Sequence, residues 1–382
     1  MSEDELIRWR SEFPTLDASC HLISHSLGAM PREARAHATE FLDQWEQQSI
    51  ESWGRWLPYV RELGDVIGGV LGVPAGSVIL NQNCSTVQAI LASCFDYRGD
   101  RKKIVYSALE FSTVHYVWSQ QARRGAEVVV VPSDDGIHNP LERFLDQIDT
   151  RTLIVPLSHV LFRSSTLQDL ETIVKHAHSV GAMVLADCYQ STGVVPLALG
   201  ELGVDFACGG SVKWACGGPG CAYLYVRPDR LSELRPMDTG WFGHEKPFAF
   251  DMGEMKYAAD VWRMAAGTPA IPALYTARAG WDILAQLDLH AVRAKSLRQT
   301  ARMRELAQSR GFRINTPLED AARAGTMCFD FDGSEGVAKA LNQRKFFCDW
   351  RPACGIRASP HFYTTDAEIE RFMDEVERLR LR

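Results

Sequence analysis

Apolar and polar positions change rhythm along this chain, and the changes mark out its elements. In the middle, six short runs are apolar at nearly every position: KKIVYSA, AEVVVVPS, TLIVPLSHV, AMVLADC, FACGGS and CAYLYVRP. They are rich in Val, Ile, Leu and Tyr and too short for helices, so they read as strands buried on both faces. Between them, LERFLDQI and STLQDLETIVKHAHSVG repeat their apolar residues with helical spacing, and the second closes on Gly181 as a C-cap. Strand and helix in alternation predict a mostly parallel sheet covered by helices. The character then changes. AGWDILAQLDLHAVRAKSLRQTARMRELAQSRG reads as long helix with a connection inside it, TMCFDFDG as a strand, and DAEIERFMDEVERLRL as a closing amphipathic helix. No internal repeat or low-complexity linker interrupts the pattern. It predicts an N-terminal segment over 1–60 that joins the small domain or the cleft, a large domain over 61–270, and a small α+β domain over 271–382.

Composition narrows the class. Hydrophobic residues make up 46% of the 382 positions, enough for a large core without staples. The net charge of -7 and the lack of a basic block argue against nucleic acid or a membrane surface as partner. Arg101-Lys102-Lys103 reads as a solvated turn. No stretch approaches the ~20 apolar residues that span a bilayer. The N-terminal MSEDELIRWR is acidic and without an apolar run, which predicts no secretory leader. The ten cysteines form no CxxC pair, so neither a metal site nor a disulfide framework is expected, and Cys208, Cys216 and Cys221 read as buried thiols. Together these features predict a cytoplasmic protein.

The strongest chemical signal lies in AMVLADCYQSTGVVPLALGELGVDFACGGSVKWACGGPGCAYLYV. An apolar strand delivers Asp187 at its C-terminal end, where α/β sheets place ligands. Lys213 follows in a Gly-rich turn between two short strands. A lysine and a carboxylate so placed suit pyridoxal 5'-phosphate. That cofactor needs an amine for its Schiff base and an acid that keeps its pyridine nitrogen protonated. An Asp–pyridinium contact at 4 Å contributes roughly 4 kcal/mol at an effective dielectric of about 20.

The segment resembles the aminotransferase class V group of fold-type I enzymes, and most closely the kynureninases. DFACGGSVKWACGGPG is similar to the kynureninase stretch around its Schiff-base lysine. Further pieces follow in the family's order: HSLGAMP near the start, SHVLFRS before Asp187, GWFGH and AAGTPA after Lys213, and RPACGIRASPHFYTT near the end. The resemblance implies a large domain with a seven-stranded, mostly parallel sheet and a smaller C-terminal α+β domain. It implies that Lys213 and Asp187 are catalytic and that Ser85, Thr86 and Ser211 bind the cofactor phosphate. Phe111 would stack on the cofactor ring, and Gln190 would stand where cysteine desulfurases of the group bond the phenolic oxygen. Trp241 and Thr268 would reach the phosphate, Thr268 from the neighbouring subunit of a homodimer. Arg357 would grip the α-carboxylate of an amino-acid substrate, with Arg351 six positions earlier as its rival. His25 and Ser26 fall on the substrate side. Structural roles remain equal readings for His25 and His159, and aromatic packing for Trp241.

Some positions depart from the kynureninase pattern. Val212 stands in place of a tyrosine, Ser112 of a proline, Val114 of an aspartate, His25 of an asparagine and Gln190 of a histidine. The resemblance therefore implies cofactor and fold more tightly than reaction. A hydrolase cleaving a Cβ–Cγ bond comes first. A class V lyase, epimerase, aminotransferase or cysteine desulfurase is the alternative, and Cys348 and Cys354 are the thiols a desulfurase could use. A cofactor-binding regulator without catalysis is a third reading.

Overall fold

In the computed structural model, which describes residues 4–381, the chain builds a seven-stranded sheet, a four-stranded sheet and a two-stranded ribbon. The N-terminal segment holds β1 (Cys20–His21) and α1 (Glu33–Gln48). It then enters α2 (Trp53–Leu71), which runs through position 60 without a break.

The large sheet consists of β2 (Val78–Asn81), β3 (Lys103–Ser107), β4 (Glu127–Val131), β5 (Thr152–Ser158), β6 (Met183–Asp187), β7 (Phe206–Gly210) and β8 (Ala222–Val226). Their spatial order is β2-β8-β7-β6-β5-β3-β4, and only β8 runs against its neighbours. The six apolar runs are β3 to β8. Four of the five residues or more are buried in β3, β6, β7 and β8, whereas β4, at the sheet edge, is half-exposed along most of its length. β2 escaped the sequence pattern because VILN is short and has no alternation to mark it.

Helices α3 (Cys84–Ser93), α4 (Ser112–Ser119), α5 (Leu141–Asp146), α6 (Leu170–Ser179) and α7 (Leu199–Leu202) link the strands. α6 begins later than its apolar spacing suggested. The Asp169 side chain caps it by accepting from Thr172 N, while Ser165 takes a left-handed conformation at φ 62° in the preceding turn. Gly181 follows the helix with φ 77°, the conformation a residue without Cβ adopts at low cost.

The predicted connection within the long C-terminal helix is real. α8 (Ile271–Leu284) and α9 (Leu289–Ser309) are separated by Asp288, whose carboxylate accepts from the amides of His290 and Ala291. Then come β9 (Arg313–Ile314), β10 (Met327–Asp330), α10 (Ser334–Gln343), β11 (Phe346–Phe347), β12 (Asp349–Arg351), β13 (Gly355–Ala358) and α11 (Asp366–Arg380). The small sheet is antiparallel in the order β12-β13-β10-β9. A capping box between Thr365 and Glu368 starts α11.

Two large apolar cores and a smaller cluster of Val160, Val194, Val195, Trp214 and Ala324 result. The first gathers the large sheet with α1, α2 and α8, and the second gathers Leu22, Met303, Phe329, Ile356 and Phe372. The N-terminal segment reaches both: Phe13 and Leu16 pack in the first, while β1 pairs with β11 beside the second.

Candidate active site

The C-terminal ends of β5 and β6 lie side by side, Ser158 opposite Asp187. β7 leads through Gly209 and Gly210 into the turn that carries Lys213. That turn is clamped from two sides: Gly28 N donates to Val212 O at 2.8 Å, and Trp281 Nε1 of α8 donates to Ser211 Oγ at 2.8 Å. In front of these strand ends is a cleft of about 230 Å³ whose lining includes Lys213, Asp187, Ser85, Phe111 and Gln190. Five of the residues singled out from the sequence thus meet in one place.

Burial shapes the chemistry of the pair. It lowers the Lys213 amine to about 8, an effect that the charge of Asp187 opposes and that of Arg357 reinforces. It pushes Asp187 upward, opposed by the hydrogen bond from Tyr189 N and the charge of Lys213. Both groups are destabilised as ions. Among the described residues neither has a salt-bridge partner within 4 Å. Asp187 instead accepts from Tyr189 N at 3.0 Å and Gln88 Nε2 at 3.2 Å, and Gln88 is in turn fixed by Trp118 Nε1 at 3.0 Å. A buried carboxylate held in place without a cation fits a group that brings a positively charged ring nitrogen.

Two aromatic rings flank the amine. Lys213 Nζ lies 4.4 Å from the ring centre of Tyr189 and 5.5 Å from that of Phe111. Phe111 meets Phe162 edge to face at 5.2 Å, and both line the cleft. The polar wall is the start of α3. Asn83 caps the helix by accepting from Thr86 N, which leaves the amides of Cys84 and Ser85 to face a ligand. Ser85 Oγ pairs with Thr113 Oγ1 at 2.9 Å, and both residues line the cleft. Free amides, two hydroxyls and a helix N-terminus together suit a phosphate.

Other predicted residues are placed differently. Thr86 turns its hydroxyl back to Asn83 Oδ1 and lies outside the cleft lining. Ser211 is fully buried, with its hydroxyl occupied by Trp281. Gln190 lines the cleft, but its amide donates to His25 O at 3.0 Å and accepts from Trp214 Nε1 at 2.9 Å. Ser26 sits in the turn after β1, bonded through its amide to Ile23 O. His159 is buried beside Asp187, whose carbonyl accepts from His159 N, and its ring does not line the cleft. Trp241 belongs to a surface group with Phe248 and Phe250, and Thr268 is exposed; neither lines the cleft of its own chain.

Arg357 lies behind the Phe162 wall. Its Nη1 donates to Phe162 O at 2.6 Å, while Nε and Nη2 form a two-point contact with Asp349 at 2.8 and 2.6 Å. Arg351 contacts the same carboxylate through Nη2 at 3.0 Å but is half in solvent. The two arginines are therefore partners in one cluster.

Tyr189, Gln88, Asn83, Thr113, Phe162 and Asp349 were not anticipated from the sequence. A buried polar residue in an apolar helix, such as Gln88 within VQAILA, was the available signal; Tyr189 and Asp349 had none that spacing reveals.

Comparison with known proteins accords with this geometry. The model of the aminotransferase class-V family matches residues 59–372. The chain is 28% identical to an uncharacterized aminotransferase, YcbU, of Bacillus subtilis (strain 168), over 97% of this chain and 96% of that protein. It is 29% identical to the kynureninase of Pseudomonas fluorescens, over 96% and 91%. The apo cysteine desulfurase of Thermococcus onnurineus NA1 superposes with a TM-score of 0.87 at 18% identity, covering 97% of each chain, a likeness of fold. This chain belongs to the aminotransferase class V family, and within that family it is a pyridoxal-phosphate enzyme of fold-type I.

Proposed function

We propose that this enzyme is a kynureninase-like hydrolase that cleaves the Cβ–Cγ bond of an amino acid bearing a γ-carbonyl. The make-up of the cleft walls carries the reading. Phe111, Val160, Phe162 and Tyr189 present apolar and aromatic surface suited to a bulky acyl side chain. The thiol in the lining, Cys84, donates to Gly209 O at 3.2 Å, and burial raises its pKa. A desulfurase needs an accessible thiolate. Cys348 and Cys354 are each 1% exposed. Burial raises the first thiol; a hydrogen bond with the Cys328 thiol, then burial, raises the second.

In this reading Lys213 carries the cofactor, and Asp187 holds the proton on its ring nitrogen. Phe111 and Tyr189 support the ring faces. Ser85, Thr113 and the first amides of α3 hold the phosphate. Bound there, pyridoxal phosphate supplies an electron sink. Once the substrate amine has replaced it on the cofactor, the freed Lys213 amine would take the proton from the substrate Cα as a general base. Arg357 receives the α-carboxylate and so fixes the direction of the bond to be broken.

The same reading makes the enzyme a homodimer in which Thr268 serves the partner's cleft. Trp241 and the exposed Phe248, Phe250 and Met252 are the apolar surface on offer. All ten cysteines are unpaired, as a reducing cytoplasm would keep them, and no helix among the described residues is long and apolar enough to cross a membrane. Alanine release from kynurenine, measured beside sulfide release from cysteine, tests the reaction. Alanine release with little sulfide is expected; the reverse would make the enzyme a desulfurase.

A further inference from the structure

We infer that Asp349 is a positioning residue that aims Arg357 at the substrate carboxylate. The inference rests on the reading of Arg357 as carboxylate receptor and adds what makes that receptor directional.

A guanidinium has five N–H donors. Three of those on Arg357 are engaged: Nε and Nη2 by the two oxygens of Asp349, and Nη1 by Phe162 O. One hydrogen remains on each terminal nitrogen, so an incoming carboxylate can approach from a restricted direction. The side chain is 4% exposed, and its orientation is set by these contacts rather than by solvent.

Asp349 is itself held. His25 Nε2 lies 3.0 Å from Asp349 Oδ1, and His25 Nδ1 lies 2.6 Å from Ser359 Oγ. Burial holds the His25 ring at about 4, so it is neutral in the working range. The ion-paired Asp349 is acceptor-only; the neutral ring therefore carries its proton on Nε2 and accepts from Ser359 at Nδ1. The row Ser359–His25–Asp349 has the order of a nucleophilic triad, but Ser359 is fully buried and supports His25 rather than reaching a ligand.

Charge counting supports the assignment. Arg357 and Arg351 contribute two positive charges, Asp349 one negative, and His25 none. The balance of one positive charge matches one substrate carboxylate. Asp349 thus leaves the receptor cationic while fixing its direction. Without it, the Nε–Nη2 edge of a buried arginine would be unpaired and the group would turn to find another acceptor. A carboxylate could still bind, but with its Cα misdirected relative to Lys213, so rate should suffer more than affinity.

The test uses the holoenzyme, titrated with L-alanine and with ethylamine, the same amine without a carboxylate. The readout is the change in the cofactor's visible absorbance band, accompanied by kcat and KM for an accepted substrate. The wild type is expected to respond to far lower concentrations of L-alanine than of ethylamine, and Arg357→Lys to lose most of that preference. Asp349→Asn is expected to reduce it by at least about tenfold, the scale of losing charge-assisted hydrogen bonds, with the ethylamine response unchanged and kcat falling more than KM rises. Asp349→Glu, which keeps the charge, is expected to recover part of the preference, and it carries the comparison if Asp349→Asn does not fold. Preference lost in Arg357→Lys but intact in the Asp349 variants overturns the inference alone. Preference intact in all of them overturns the reading of Arg357 as well.

Discussion

Lys213 and Asp187 share a cleft that offers neither a salt-bridge partner, and this has a measurable consequence in the apoprotein. Burial holds Lys213 at about 8 instead of its ordinary 10.5. Below pH 8 the folded and unfolded chains both keep the proton, and the folded one bears the full cost of a buried charge. Between pH 8 and 10.5 the unfolded chain binds more protons, so this contribution to stability rises with pH. Lys213→Met removes it. The variant apoprotein is expected to be more stable than the wild type by roughly 3 kcal/mol at pH 7, with the gap closing toward pH 10.5. Denaturant titrations of both apoproteins across that range check this, and a gap independent of pH would contradict it. For Asp187→Asn, cofactor should still bind, but the neutral amide cannot hold a cationic ring. A loss of roughly 4 kcal/mol corresponds to about a thousandfold in kcat/KM. Near wild-type rates would mean that another group keeps the ring protonated. At this scale the sequence pointed to five of the residues that line the cleft, Lys213 and Asp187 among them. A lysine between glycines and a carboxylate at a strand end have few other uses together. It did not reveal that Asp349 occupies one edge of Arg357, because residues 349 and 357 meet only through the pairing of β12 with β13.

The elements locate Lys213 by close backbone contact. Gly28, in the turn after β1, lies against the β7–β8 turn so tightly that a Cβ there would stand 2.2 Å from Lys213 O and 2.8 Å from Cys216 Cα. Backbone cannot yield as a flexible side chain can. Gly28→Ala is therefore expected to destabilise the fold by about 1–3 kcal/mol and to displace the Lys213 turn, altering the cofactor's visible absorbance as well as the unfolding midpoint. An alanine variant with unchanged spectrum and stability would show that the turn has room to move. The strands of the large sheet were legible because burial on both faces makes them apolar throughout, and β2 was not because four residues carry too little pattern. The start of α6 was misplaced because apolar spacing continues back through Leu167 into a turn, and only the Asp169 cap shows where the helix begins.

The whole molecule brings the ends of the chain together around the cleft. β1 pairs with β11, His25 reaches Asp349, and Arg357 touches the cleft wall at Phe162, so residues far apart in sequence meet beside the cleft. Such long-range pairing cannot be read from periodicity, whereas the order of elements could be. The exposed Phe250 and Met252 lead to an expectation of dimers. Light scattering should give twice the chain mass at working concentration, and Phe250→Asp with Met252→Asp should yield monomers of reduced activity, because Thr268 would no longer reach a partner's cleft. Full activity in a monomer would contradict this. The central claim is that Lys213 carries pyridoxal phosphate. Its most direct measurement is borohydride reduction of the purified holoenzyme followed by mass analysis of its peptides. The account predicts loss of the visible band and one phosphopyridoxyl group on Lys213, with no label in Lys213→Ala. Label on a different lysine, or a reducible band that persists in Lys213→Ala, would contradict it.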